Sequence, residues 1–164
     1  MATEIEHRFL VTGDGWRAFA TDSSAIRQAY IAIAEKVSVR IRINDESNAQ
    51  LTIKSAEAAR TRAEFEYSIP LDDARNMMRL RDGVVLEKRR HKVPIDGLTW
   101  EIDVFEGALD GLVIAEIELP DEDTPFQRPD WLGEEVTNDR RYYNASLARD
   151  GAPERRETPL PASS

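Results

Sequence analysis

The sequence contains no cysteine and only two histidines, His7 and His91. Disulfides, zinc–thiolate centres, iron–sulfur clusters and cysteine nucleophiles are therefore excluded, and a two-histidine metal site is disfavoured. No apolar run approaches the roughly 20 residues of a membrane-spanning helix. The start, MATEIEHRFLV, enters an alternating pattern at once and lacks the basic start and apolar stretch of a secretory signal. Basic residues are also in deficit: 22 Lys and Arg stand against 31 Asp and Glu, a net charge of −9. That argues against a general nucleic-acid binder, which would carry a net basic face. It does not exclude anionic ligands, because local charge can oppose net charge. The expectation is a soluble cytoplasmic protein, monomer or homodimer, with neither nucleic acid nor membrane as a partner.

What is present is a chain of 164 residues, 41% apolar and 32% charged, long enough for one domain with a real core. Period-two alternation predicts strands over Glu4–Val11, Lys36–Asn44, Gln50–Lys54, Arg62–Ile69, Val84–Val93, Leu98–Phe105 and Val113–Leu119. A short apolar strand is expected at Gln28–Ile33. Asp45–Ala49 and Asp96-Gly97 supply hairpin turns. Leu71–Arg81 loses the alternation and suits a helix entered through Pro70. Asn138–Ala148 reads as a second helix, and Trp16–Phe19 as a helical turn. The reading is one β-dominated α+β domain over 1–149 and a polar, Pro-rich, mobile tail over 150–164.

The polar strand faces carry an unusual load of charge. Glu4, Glu6 and Arg8 share one face; so do Arg40 and Arg42, Glu64 and Glu66, Lys88 and Arg90, Glu101 and Asp103, Glu116 and Glu118, with Lys54 alone on its strand. Any one such pair suits a solvated sheet face. Glu, Asp and Lys are poor strand formers, however, and nearly every strand accepts them. A closed barrel with a water-filled, charge-lined channel accounts for the joint pattern. Its outward face (Ile41, Ile53, Phe65, Ile102, Ile117) would be covered by the helices. Clustered carboxylates bind hard divalent cations, Mg²⁺ or Mn²⁺. Clustered Arg and Lys bind phosphate oxygens. Together they describe a site for a metal–polyphosphate complex.

The start Glu4-Ile5-Glu6-His7-Arg8 resembles the E-x-E-x-K signature of the CYTH superfamily, the triphosphate tunnel metalloenzymes. The resemblance continues through VRIRIN (39–44), LTIKS (51–55), RAEFEYSI (62–69), LEKRRHKV (86–93), WEIDVFEG (100–107), GLVIAEIELP (111–120) and WLGEEVTNDRRYYNASLA (131–148). It implies an eight-stranded antiparallel closed barrel, a tunnel with helices packed outside, and hydrolysis of a small-molecule triphosphate, either inorganic tripolyphosphate or a nucleoside triphosphate. By position, the resemblance assigns Glu4, Glu6, Glu116 and Glu118 to the principal metal, Mg²⁺ or Mn²⁺. Asp103, Glu64 and Glu66 complete the acidic side, near a second metal or the attacking water. Arg40, Arg42, Lys54, Lys88 and Arg90 grip the phosphates. Arg8 stands where the signature has Lys, and Tyr30 matches a tunnel tyrosine that works beside that Lys in some tripolyphosphatases. Arg keeps the charge but not the compact amine.

Other conspicuous residues have plainer readings. His7 and His91 are out of phase with the charged face. Trp100 and Trp131 are expected to pack beneath helices. Arg60 and Arg62 read as rim residues or salt-bridge partners, Glu101 as a tunnel-end residue, and Arg140 and Arg141 as surface charges or tunnel-mouth residues. Two alternative functions remain open: a polyphosphate- or nucleotide-binding module with little turnover, and an adenylate cyclase.

Overall fold

A computed structural model describes residues 5–55 and 63–153. Glu4, Arg60, Arg62 and the tail beyond 153 lie outside the described residues. Nine strands form one antiparallel sheet: β1 (Ile5–Val11), β2 (Asp22–Ile33), β3 (Val37–Asn44), β4 (Asn48–Ser55), β5 (Glu64–Ile69), β6 (Asp82–Ile95), β7 (Leu98–Glu106), β8 (Val113–Leu119) and β9 (Leu132–Glu135). Their order is β5-β4-β3-β2-β6-β7-β8-β1-β9. Among the described residues two short helices, α1 (Leu71–Met77) and α2 (Asn144–Asp150), and four 3-10 turns accompany the sheet.

The expected tunnel is thus corrected in two respects. Among the described residues there are nine strands rather than eight, and no hydrogen-bonded ladder joins the outer strands β5 and β9, so the sheet is curved but not closed by hydrogen bonds. The extra strand, LGEE, is only four residues long, too short to display alternation. It lies close against β1: a Cβ on Gly133 would come within 2.7 Å of the Thr12 side chain. Irregular register in β2, between Gln28 and Ala32, marks a bulged stretch around Tyr30. Such bulges bend and twist a sheet and re-aim side chains beside functional sites. The two-residue turn at Asp96-Gly97 forms as expected, with φ of 51° and 80°.

Alternation sorts the strands into a convex apolar face and a concave charged one. One convex cluster holds Phe9, Trp16, Trp100, Ile102, Ile117 and Trp131. Trp100 and Trp131 meet edge-on at 5.5 Å, beneath the Gly15–Phe19 turn and Phe126 rather than beneath an α-helix. A second cluster buries Ala29, Ile41 and Ile43 against Ala74 of α1 and Met78. Helical cover stops short of β5: Phe65 and Tyr67 remain 53% and 55% exposed, so the expected burial of Phe65 fails.

The third cluster corrects the placement of the helices. Tyr30, Leu86, Phe105 and Ile114 share the concave face, and α2 packs on them through Leu147 and Ala148. The concave face turns apolar at this end, so a helix covers it from within. Gly83 permits the approach. Its φ is +80°, and a Cβ there would fall 2.1 Å from the Ala148 carbonyl oxygen. The second helix was expected as one piece over Asn138–Ala148. Instead a 3-10 turn, Arg140–Tyr142, and α2 are separated by extended Tyr143.

Candidate functional site

The remaining concave face encloses a cavity of about 1270 Å³. Its cationic wall comes from strands that lie between the acidic ones in the sheet order, with Arg40 and Arg42 on β3, Lys54 on β4 and Arg90 on β6. The acidic wall comes from strands on either side of these: Glu64 and Glu66 on β5, and Glu6 on β1 with Glu116 and Glu118 on β8. Tyr30 also lines the cavity. The curved sheet therefore brings together every sequence-predicted site residue that is described, except two that lie behind the wall.

Those two are Lys88 and Asp103, 1% and 3% exposed. Lys88 Nζ donates to Asp103 Oδ2 at 2.9 Å, and Arg90 forks onto both Asp103 oxygens at 2.8 and 2.9 Å. Burial alone would raise the Asp103 pKa, but Lys88 and Arg90 outweigh it and hold the carboxyl well below the usual range. Burial lowers Lys88 to about 8 despite Asp103. Asp103 thus sits among cations rather than on the acidic wall. The hairpin register was the signal for this: with the turn at Asp96-Gly97, counting back along both strands sets Arg90 opposite Asp103.

Arg40 and Arg42 are held differently. Arg42 Nε donates to Gln28 Oε1 at 3.0 Å, and Arg40 Nη2 to Thr52 Oγ1 at 3.3 Å. Burial, then repulsion from Arg40 and Arg90, lowers Arg42 to about 10. Arg40 Nε and Gln28 Nε2 are buried donors with no acceptor among the described residues. Tyr30 is raised by burial against the pull of Arg40, Arg42 and Lys54, so its phenol stays protonated and able to donate. Gln28 and Thr52 are not legible in the sequence, because the signal there is charge at alternate positions and these two are neutral.

On the acidic wall the β1–β8 ladder sets Glu6 opposite Glu118 and Arg8 opposite Glu116. Arg8 bridges the wall: Nε donates to Glu116 and Nη2 to Glu6, both at 2.9 Å. Its guanidinium also lies 5.4 Å from the Tyr143 ring centre. Glu6 is nevertheless raised to about 7, first by burial, then by the charge of Glu116. Glu64 and Glu66 are exposed on β5, opposite Lys54 and Thr52 in register.

As they stand, no three acidic or histidine side chains among the described residues converge closely enough to hold an ion. The donor set still fits a hard divalent cation in kind. The donors are carboxylate oxygens, and Glu6 shows that Arg8 does not offset all of their charge. The plainer residues stay plain. His7 bonds Glu135 at 2.8 Å and His91 packs on Trp16 at 4.8 Å. Glu101 lies 3.6 Å from Arg90 at the cavity edge. Arg140 and Arg141 are exposed and stand apart from the cavity lining, Arg141 paired with Asp139.

Residues 2–150 match the profile of the CYTH domain. An inorganic triphosphatase from Acetivibrio thermocellus is 43% identical over 151 residues, 92% of this chain and 96% of that protein. Another, from Nitrosomonas europaea, is 34% identical over 152 residues, 89% of this chain and 97% of its own. A crystal structure of an inorganic triphosphatase superposes with a TM-score of 0.73 at 33% identity, covering 93% of this chain and 99% of that one.

Proposed function

The chain belongs to the CYTH domain family, and from that premise we propose that it hydrolyses inorganic tripolyphosphate to pyrophosphate and orthophosphate with a divalent metal, Mg²⁺ or Mn²⁺. One observation carries the reading. Arg40 and Arg42, with no carboxylate within ion-pair distance among the described residues, face a surplus of carboxylates across a single cavity. A polyanion with its metal satisfies both walls; either component alone satisfies one.

Arg40, Arg42, Lys54 and Arg90 bind the phosphate oxygens. Their charge lowers the repulsion that an incoming water meets and stabilises the charge that develops as the phosphoanhydride bond breaks. Tyr30 donates a hydrogen bond from its hydroxyl to a phosphate oxygen beside Arg40. Glu6, Glu116 and Glu118, with Glu4 outside the described residues, are the residues that would hold the metal. When bound, the ion supplies charge neutralisation and an activated water. Glu64 and Glu66 orient the attacking water from β5. Asp103 acts indirectly, fixing Arg90 and Lys88 rather than touching substrate. Arg8 donates to both Glu6 and Glu116 in the cavity lining, and would be available to phosphate were those carboxylates to hold the metal.

The test is phosphate release from tripolyphosphate, ATP, GTP and thiamine triphosphate with Mg²⁺ or Mn²⁺. Tripolyphosphate is expected to rank first, and Glu6→Ala and Glu118→Ala to abolish turnover. Ligand-induced thermal stabilisation without release from any substrate would favour a binding module, and cyclic AMP from ATP a cyclase.

A further inference from the structure

The cations of the site fall into two classes according to what holds them. Arg90 and Lys88 share the buried carboxylate of Asp103, which takes up part of their charge. Arg40 and Arg42 are held by neutral acceptors, the Thr52 hydroxyl and the Gln28 carboxamide. Among the described residues neither has a carboxylate within ion-pair distance. Both neutral partners are themselves sealed from solvent, Gln28 at 0% and Thr52 at 1% exposure. A buried polar side chain costs free energy unless it is bonded, so a long carboxamide under the cavity floor calls for a reason.

Register supplies the placement. Gln28 lies directly opposite Arg42 on the β2–β3 ladder, and Tyr30 opposite Arg40. On the other side of β2, Gln28 faces Leu86. A glutamate would fit the same space and make a stronger, charge-assisted bond to the guanidinium. It would also spend the charge. The carboxamide accepts from Nε, fixing the plane of the guanidinium, and adds no negative charge of its own, so among the described carboxylates the arginine is drawn only by the more distant Asp103.

We propose that Gln28 is a positioning residue for substrate binding: it orients Arg42 through a neutral acceptor so that the arginine's charge stays uncompensated until a polyphosphate arrives. Thr52 does the same for Arg40. Asp103 is the contrasting case, a carboxylate that stabilises the fold of the wall at the expense of its field. The inference rests on the tripolyphosphate reading and names the residues that set the strength of the grip.

The test compares Gln28→Glu with Gln28→Leu in the full chain. Tripolyphosphate affinity is measured by calorimetry in chelator, where turnover is absent, and melting temperature is measured without ligand. Gln28→Glu should weaken binding about 10- to 100-fold, the range for losing one charge-assisted contact, while melting at or above the wild-type temperature. Gln28→Leu, which removes the acceptor but leaves the charge, should melt lower yet bind better than Gln28→Glu. Opposite orderings of stability and affinity are the signature, because a merely packing role moves both together. Should Gln28→Glu fail to fold, Thr52→Asp places a carboxylate beside Arg40 and gives the same comparison. Affinity of Gln28→Glu within about twofold of wild type, or equal losses in the two variants, would overturn the inference. Wild-type protein that neither binds nor hydrolyses tripolyphosphate overturns the functional reading instead, before any variant is compared.

Discussion

Replacing Asp103 with asparagine tests how the cationic wall is built. The two side chains are nearly isosteric, and the amide oxygen can still accept one bond from Arg90. What disappears is the charge between Lys88 Nζ at 2.9 Å and the Arg90 fork at 2.8 and 2.9 Å. Removing one partner from a buried ion pair typically costs about 3–5 kcal/mol, because the other charge stays buried and uncompensated. For a domain of this size each kcal/mol is worth roughly 2–4 °C, so the metal-free protein should melt about 10 °C lower near neutral pH. Lys88 can relieve part of the cost by losing its proton. Its pKa is already lowered to about 8 by burial, and without Asp103 it falls further. The unfolded lysine binds more protons than the folded one between those values and about 10.4, so stability rises with pH through that window. In the variant the window opens at lower pH. The stability gap to wild type should therefore narrow as pH rises toward 8, and persist in part because Arg90 stays charged. Calorimetric melts from pH 5.5 to 9 in chelator read this directly. A gap that is absent, or that stays constant across this range, would refute the account of the cluster.

Three further outcomes follow from the same geometry. Glu6 is raised to about 7, so it favours the folded state less as pH climbs from its ordinary value of about 4.3 through 7. Glu6→Gln should flatten that loss in metal-free melts while weakening Mn²⁺ binding at least tenfold by calorimetry. Arg8→Ala removes the cation that bridges Glu6 and Glu116; Mn²⁺ affinity without substrate should rise severalfold and turnover fall, and unchanged Mn²⁺ affinity would refute the bridging role. Gly83→Ala places a Cβ 2.1 Å from the Ala148 carbonyl oxygen at a φ of +80°. It should cost more than about 2 kcal/mol in urea unfolding, and faster amide exchange in α2 would show which contact is lost.

Much of this was legible in the sequence because strand parity is a strong signal. Glu6, Arg40, Arg42, Glu116 and Glu118 were assigned to one face from alternation, and the structure brings them around one cavity. Parity says which face a residue takes, however, not which neighbours it meets there. Asp103 shares parity with Glu101 and reads as one of the acids, whereas register sets it opposite Arg90 and Lys88 reaches it from the same strand. The start of β2 was hidden because Asp22-Ser23-Ser24-Ala25 has no apolar alternation; it is a strand because Arg89–Lys92 pairs with it. The inward seat of α2 was illegible for a related reason. Leu86, Phe105 and Ile114 continue the parity of charged residues, and only the folded sheet shows that their end is the one a helix fills.

The unjoined edges of the sheet give the acids of the cavity two mechanical characters. Glu116 and Glu118 on β8 and Glu6 on β1 stand on strands laced to neighbours on both sides, like the strands that carry the arginines, whereas Glu64 and Glu66 stand on outer strand β5, paired among the described residues with β4 alone. The arginines and the β1–β8 carboxylates are therefore the stiff jaw of a vice, and Glu64 and Glu66 the sliding one. Substrates of different girth can be clamped by moving β5 and its two acids, without disturbing the arginines that recognise phosphate.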